Sequence, residues 1–144
     1  MSHAQALDPD LTRPSQNGVY FVGDADLERL GASARREELV VRGCDLAGCH
    51  DQAELQRRLA AMLDLAPDDG HGWDALADRL RELGWLPAWG HVWLFGHAGA
   101  LHQGAESAFD ILLGLLDDAA TFAQDADRPF FAFLALPNHS PDLA

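Results

Sequence analysis

From residue 18 onward, short apolar runs rich in aromatic and β-branched residues alternate with longer stretches in which apolar residues recur every three or four positions. The first pattern predicts strands and the second amphipathic helices. Val19-Tyr20-Phe21-Val22 reads as a strand closed by Gly23-Asp24. Residues 24–34 then carry Leu27 and Leu30 on one helical face, with Asp24 placed to cap it. Residues 38–43 read as a second strand, followed by a loop to Asp51 and a helix to about Leu63 with Leu55, Leu59 and Met62 on one face. Ala66-Pro67 stops that helix. A polar loop follows over 68–72, and a helix starting at Gly72 or Trp73 runs to Gly84. Residues 91–96 form a strand that is apolar on both sides, as in a covered parallel sheet. A Gly- and Ala-rich loop over 96–103 leads into a long helix over 104–124, where Ala108, Ile111, Leu112, Leu115, Leu116, Ala119 and Phe122 recur at helical spacing. Arg128-Pro129 ends it, and 130–136 is the last strand.

Strands alternating with helices define an α/β fold with right-handed crossovers and a small, mostly parallel sheet. The expected organisation is a flexible tail over 1–17, one domain over 18–137, and a short tail over 138–144.

The helix after Gly72 is the most informative stretch. At about 100° per residue, Trp73, Leu76, Ala77, Leu80 and Leu83 share a face as a buried stripe, while Asp74, Asp78 and Glu82 follow one another at i, i+4 and i+8 beside it. Like charges at that spacing each cost a few tenths of a kcal/mol, roughly. Asp74 recovers part of this from the positive helix N-terminus, and Glu82, near the negative end, recovers none. An ordinary solvated face is the plain reading of such a row; a surface shaped for a cation is the functional one.

Composition leaves both open, since acidity of this kind also serves simply to keep a protein in solution. Ten positive residues, all Arg, stand against 23 acidic ones, for a net charge of −13. Such a field repels nucleic acid, whose recognition begins with phosphate neutralisation, and attracts basic proteins. The apolar runs are far too short to span a bilayer, and residues 1–16 are polar without an apolar signal core, so a cytoplasmic location is expected. Cys44 and Cys49 are the only cysteines. In a reducing compartment they read as free thiols, and Cys44-x4-Cys49-His50 lacks a second ligand pair for zinc. Neither metal nor cofactor is expected.

No phosphate loop, dinucleotide fingerprint or nucleophile elbow is present. Asp74 and Asp78 could serve acid–base chemistry, but one helix sets them on a convex surface rather than in a cleft. The chain is therefore read as a non-enzyme. Trp73 and Trp93 fit a core, whereas Trp85 and Trp89 fit either a structural plug or an interface edge.

The block Gly70-His71-Gly72-Trp73-Asp74-Ala75-Leu76-Ala77-Asp78-Arg79-Leu80, followed by Leu83-Gly84-Trp85, resembles the barstar family of intracellular ribonuclease inhibitors. That family's signature is a glycine, an asparagine, Leu or Trp, then Asp-Ala-Leu, with a second Asp four positions after the first. Gly104-Ala105-Glu106-Ser107 at the start of the long helix and the order of elements over 39–136 are also barstar-like. The resemblance implies a barstar-like three- to four-stranded sheet, with an extra strand and helix over 19–34. It also implies that loop and helix carboxylates enter a basic ribonuclease active site in place of RNA phosphates. Asp78 takes the principal position, Asp74 lies beside it, and Asp68 and Asp69 stand where two loop aromatics meet the enzyme. Glu82 and Trp85 surround them, Gly72 shapes the start of the helix, and Glu106 is either a contact or a helix-end charge. The chain departs from the pattern at Asp68 and Asp69, at Gly72 in place of asparagine, at Ala77 in place of an aromatic, and at Gly114 in place of a glutamate on the long helix. The expected partner is a basic protein, a ribonuclease or nuclease toxin, with an immunity role. The alternative is a barstar-fold interaction module with a different partner.

Overall fold

The computed structural model describes residues 9–65, 72–83 and 89–137, with the backbone alone for 81–83. In chain order, a single 3-10 turn (Pro14–Gln16) precedes β1 (Gly18–Val22), α1 (Asp24–Arg36), β2 (Val40–Asp45), α2 (Gln52–Met62), α3 (Trp73–Leu83), β3 (His91–Gly96), α4 (Gly99–Gly104), α5 (Glu106–Asp125) and β4 (Phe130–Ala135). The four strands form one all-parallel sheet in the order β1-β4-β3-β2.

All of β4 is buried, so its side chains divide by the two-residue period between the two faces of the sheet. Phe131 and Phe133, with Val92 of β3, join Leu30 and Ala34 of α1 and also Leu11 and Leu39. Phe130, Ala132 and Leu134, with Trp93 and Phe95, join the larger cluster built from α2, α3, α4 and α5. Register matches size across the strands: Trp93 pairs with Ala132, whose small side chain leaves room for the indole, and the Trp93 ring meets Phe130 edge-on at 4.9 Å. Among the described residues one helix therefore covers one face and four cover the other.

Three helices end in the same way. Glu38, Asp64 and Asp127 have φ of 62°, 59° and 58°, the left-handed region. In each case the next residue's N–H reaches back to a helix carbonyl: Leu39 to Ala34 (3.0 Å), Leu65 to Ala60 (2.9 Å) and Arg128 to Ala123 (2.9 Å). This is the Schellman closure, made here without glycine.

These ends explain several differences from the sequence expectations. The first helix continues to Arg36, because it closes through Glu38 rather than at a glycine. The second strand accordingly begins at Val40, paired with His91, and runs to Asp45 instead of covering 38–43. Gly23, not Asp24, caps α1, its N–H donating to the Asp26 carboxylate at 3.0 Å. The expected loop over 96–103 contains α4, whose Leu101 is fully buried. On α5 the buried stripe is Ala108, Phe109, Leu112, Leu116, Ala120 and Ala123, whereas Ile111 and Phe122 lie at its margin, 38% and 37% exposed.

The tail expected over 1–17 is packed from Leu11 onward. Leu11 is buried against the α1 side of the sheet. The Asn17 side chain donates to the carbonyls of Ala120 (3.0 Å) and Arg128 (2.9 Å) and accepts from the Phe130 N–H (2.9 Å), so one amide ties the approach to β1 to the end of α5 and the start of β4. Tyr20 Oη donates to the Gln16 carbonyl. A polar segment without periodicity can still be held by such point contacts.

Glycine relieves the left-handed strain of roughly 1–2 kcal/mol but adds freedom to the unfolded chain. Glu38→Gly is expected to raise stability by about 0.5–1 kcal/mol, read as a higher urea midpoint with an unchanged slope.

Candidate partner-binding face

The acidic helix α3 is held by one edge. Leu76 and Leu80 are 0% and 8% exposed within the main cluster, and Trp73 packs half-buried against it. Gly72 accepts the first helical bond, from the Leu76 N–H at 3.0 Å. A Cβ at Gly72 would meet nothing within 4 Å, so packing does not demand glycine at this position. Arg79 Nε donates to the Leu63 carbonyl at 3.0 Å, and Arg42 donates to the Met62 carbonyl at 2.8 Å and to Asp64 at 3.2 Å. Two guanidiniums thus satisfy the negative C-terminal end of α2 and fasten α3 beside it.

Asp74, in the first turn of α3, and Asp78 are both solvent-exposed, on the side of the helix away from Leu76 and Leu80. Their i, i+4 spacing places the two Cβ atoms about 6 Å apart on one surface. Asp118 on α5 is exposed as well and borders a groove shared with Ala77 and Leu80, so the acidic surface extends onto a second helix. Sequence reading passed over Asp118; the only available signal was its position outside the apolar stripe of a long helix. Glu106 is exposed at the first turn of α5, where the helix N-terminus favours a carboxylate. Glu82 lies within α3, but its side chain is outside the described residues, as are Asp68, Asp69 and Trp85.

Trp89 is 43% exposed and its Nε1–H donates to the Glu37 carbonyl at 2.9 Å, which makes it a clasp on the end of α1. Both cysteines are buried free thiols, and burial pushes Cys44 up to about 11, too high for a thiolate nucleophile at neutral pH. Among the described residues no three His, Cys, Asp or Glu side chains are grouped to hold a metal ion. None of the described helices is long and apolar enough to cross a membrane.

A second polar cluster lies at the carboxyl ends of the strands, on the α1 side. His97, just after β3, has φ of 54°; its Nδ1 sits 3.0 Å from Asp45 Oδ1 at the end of β2, and its N–H donates to Asp24 at the start of α1 at 3.2 Å. Glu28 and Arg35 of α1 line the same cleft. Sequence reading used Asp24 only as a cap and did not single out Asp45 or His97. Their common signal is that each ends a strand of a parallel sheet or follows one within two residues.

A parallel four-stranded α/β sheet with an acid-bearing helix held between two others is the class of protein that this geometry defines. The family described as Barstar (barnase inhibitor) matches residues 39–135, about two thirds of the chain, and the chain belongs to the barstar family. It is a family of inhibitors that bind a protein partner. Comparison with curated proteins and with solved structures gave no match.

His97 is raised above its ordinary value by the hydrogen bond to Asp45 and by the charges of Asp24 and Asp45, while Asp45 is lowered by the Ala47 N–H and by His97. The raised histidine contributes stability that is complete below about pH 6.5 and is lost as pH rises through its folded value. The lowered carboxylate contributes stability that is present above about pH 4 and lost on acidification. His97→Asn suits the left-handed backbone and removes the charge. The difference in thermal midpoint between parent and variant is expected to be largest near pH 5–6 and to shrink towards pH 9, measured by calorimetry across that range.

Proposed function

We propose that this protein inhibits a basic ribonuclease by seating the carboxylates of α3 and of its preceding loop in the enzyme's active-site cleft. The observation that carries this reading is the pair Asp74 and Asp78, held in solvent on a helix whose opposite edge is locked into the core, inside the segment that matches the barstar family. Repulsion along that row becomes attraction when an Arg- and Lys-lined cleft closes over it, because each carboxylate then accepts charge-assisted hydrogen bonds away from water. Asp78 is the principal contact and Asp74 the second. Asp68 and Asp69 add charge from the loop, with Glu82 and Trp85 at the far end and Gly72 at the near one. The net charge of −13 steers a basic enzyme towards this face, most strongly at low salt. The role requires no catalysis, no cofactor and no direct contact with nucleic acid, and a secreted ribonuclease or nuclease toxin would make it an immunity protein acting in the cytoplasm. Barnase and its inhibitor show both a dominant interface aspartate and steered association.

The test is inhibition of RNA cleavage by a barnase-type ribonuclease and by basic nucleases captured from the source cells on the immobilised protein. Stoichiometric inhibition of either supports the reading. Capture of a partner without nuclease activity replaces it with an interaction module. Asp78→Ala is expected to weaken binding of the inhibited enzyme by at least about 2 kcal/mol while barely changing the thermal midpoint, because the side chain is exposed. An unchanged dissociation constant would remove Asp78 from the interface.

A further inference from the structure

A cleft of about 610 Å³ lies between α1 and the edge strand β2, on the sheet face away from α3. That size falls within the range of small-molecule sites, roughly 300–1,000 Å³. Its floor is Gly43 and Leu94, paired across β2 and β3. Glycine inside a strand packs nothing and weakens the strand, and it often marks a place where a ligand or another backbone comes close. Gly43 does not have positive φ, so no turn requires it, and a Cβ there would meet only the Leu94 carbonyl, at 3.9 Å. Leu94 is left half-buried beside this open space.

One wall is a stripe of α1, where Leu27 and Gly31 supply apolar surface and Glu28 and Arg35 supply charge. The Arg35 guanidinium folds back onto Gly31: its Nη1 lies 3.3 Å, and a Leu94 methyl 3.2 Å, from the place a Gly31 Cβ would take. Among the described residues neither the Glu28 carboxylate nor the Arg35 guanidinium has a hydrogen-bond or ion-pair partner. Glu28 follows Asp24 at i+4, a repulsive spacing, and Asp45 adds a third carboxylate at the same end. The His97 N–H and ring leave Asp24 and Asp45 each with an oxygen to spare. The cleft is therefore negative at one end, apolar along its floor and positive towards the other end.

We propose that this cleft binds a free peptide of two or three residues, its amino group at Glu28 and Asp24, its carboxylate on Arg35 and an apolar side chain over Leu94. An extended chain covers about 3.3–3.6 Å per residue, so the termini of such a peptide stand roughly 7–10 Å apart. Glu28 and Arg35 are seven residues apart, about 10 Å along the helix axis, a span that the return of the guanidinium to Gly31 shortens. Arg35 offers the carboxylate a two-pronged, charge-assisted hydrogen bond, and the bare Gly43 admits the peptide backbone. A polyamine would set a cation against Arg35, and a fatty acid would strip water from three carboxylates without replacing it. An internal segment of a protein has no charged termini to offer. The cleft lies on the face of the sheet opposite α3, so this binding stands or falls separately from ribonuclease inhibition.

The test is a titration of glycyl-leucyl-glycine into the labelled full-length protein, followed through the methyl resonances of Leu27 and Leu94. Saturable shifts are expected at both, with at least fivefold weaker binding once the peptide is N-acetylated or C-terminally amidated. Arg35→Gln should remove the discrimination against the amide, and Glu28→Gln should reduce that against the acetylated peptide; both positions are exposed, so the fold is retained. Gly43→Leu, which fills the floor, should abolish the shifts at Leu27. Absent shifts in the parent protein, a doubly capped peptide bound as tightly as the free one, or discrimination between the ends that survives undiminished in Arg35→Gln and Glu28→Gln would overturn the proposal.

Discussion

The structure depends on the burial of β4 on both faces between two parallel neighbours. A strand carrying Phe131 and Phe133 on one side and Phe130 and Leu134 on the other cannot leave either face to water, so helices must lie on both sides of the sheet. The segment that matches the barstar family begins at residue 39, yet Leu11, Leu30 and Ala34, all before it, are three of the seven buried residues described in the smaller core. The N-terminal strand and helix are thus an integral layer: β1 pairs with β4 along its length, and α1 seals the face that β4 and β3 would otherwise expose. His97 and Asn17 fasten this layer at opposite ends of the strands, one through carboxylates and the other through backbone carbonyls.

The same division of faces gives α3 its character. It lies on the four-helix side, where Leu76 and Leu80 are drawn inward and Arg79 reaches the end of α2. A helix anchored along one edge by apolar burial fixes the backbone from which its remaining side chains project, so that only side-chain freedom of the exposed carboxylates is left to lose on association. Apolar packing sets where the helix sits, and the unfavourable spacing of its charges suits it to a cationic partner. On the function proposed above, stability and recognition fall on opposite sides of one helix.

The elements with strong periodicity were legible. The four strands, α1 and α2, the acidic helix and the long helix all occur where the hydrophobic pattern places them, and β3 coincides with its expected bounds. The ends were less legible, because three helices terminate through Glu38, Asp64 and Asp127, residue types that do not advertise a left-handed turn. The short helix α4 was read as a loop, since Gly and Ala punctuate it and a single buried leucine, Leu101, holds it. Of the candidate site, Asp74 and Asp78 follow from spacing alone, whereas Asp118 and the groove beside Ala77 become visible only when α3 and α5 are brought together.

By itself the sequence determined the fold class, the two-sided burial of the strand over 91–96, the acidic row beside an apolar stripe, and the resemblance to barstar, because each is a periodicity or a spacing legible along the chain. The tertiary structure decided which face of α5 is buried, that residues before Gly18 belong to the core, and that Asp24, Asp45 and His97 meet at the strand ends. These are contacts between residues far apart in the chain. No local pattern encodes them; they arise when packing chooses one mutual arrangement of elements whose individual preferences permit several.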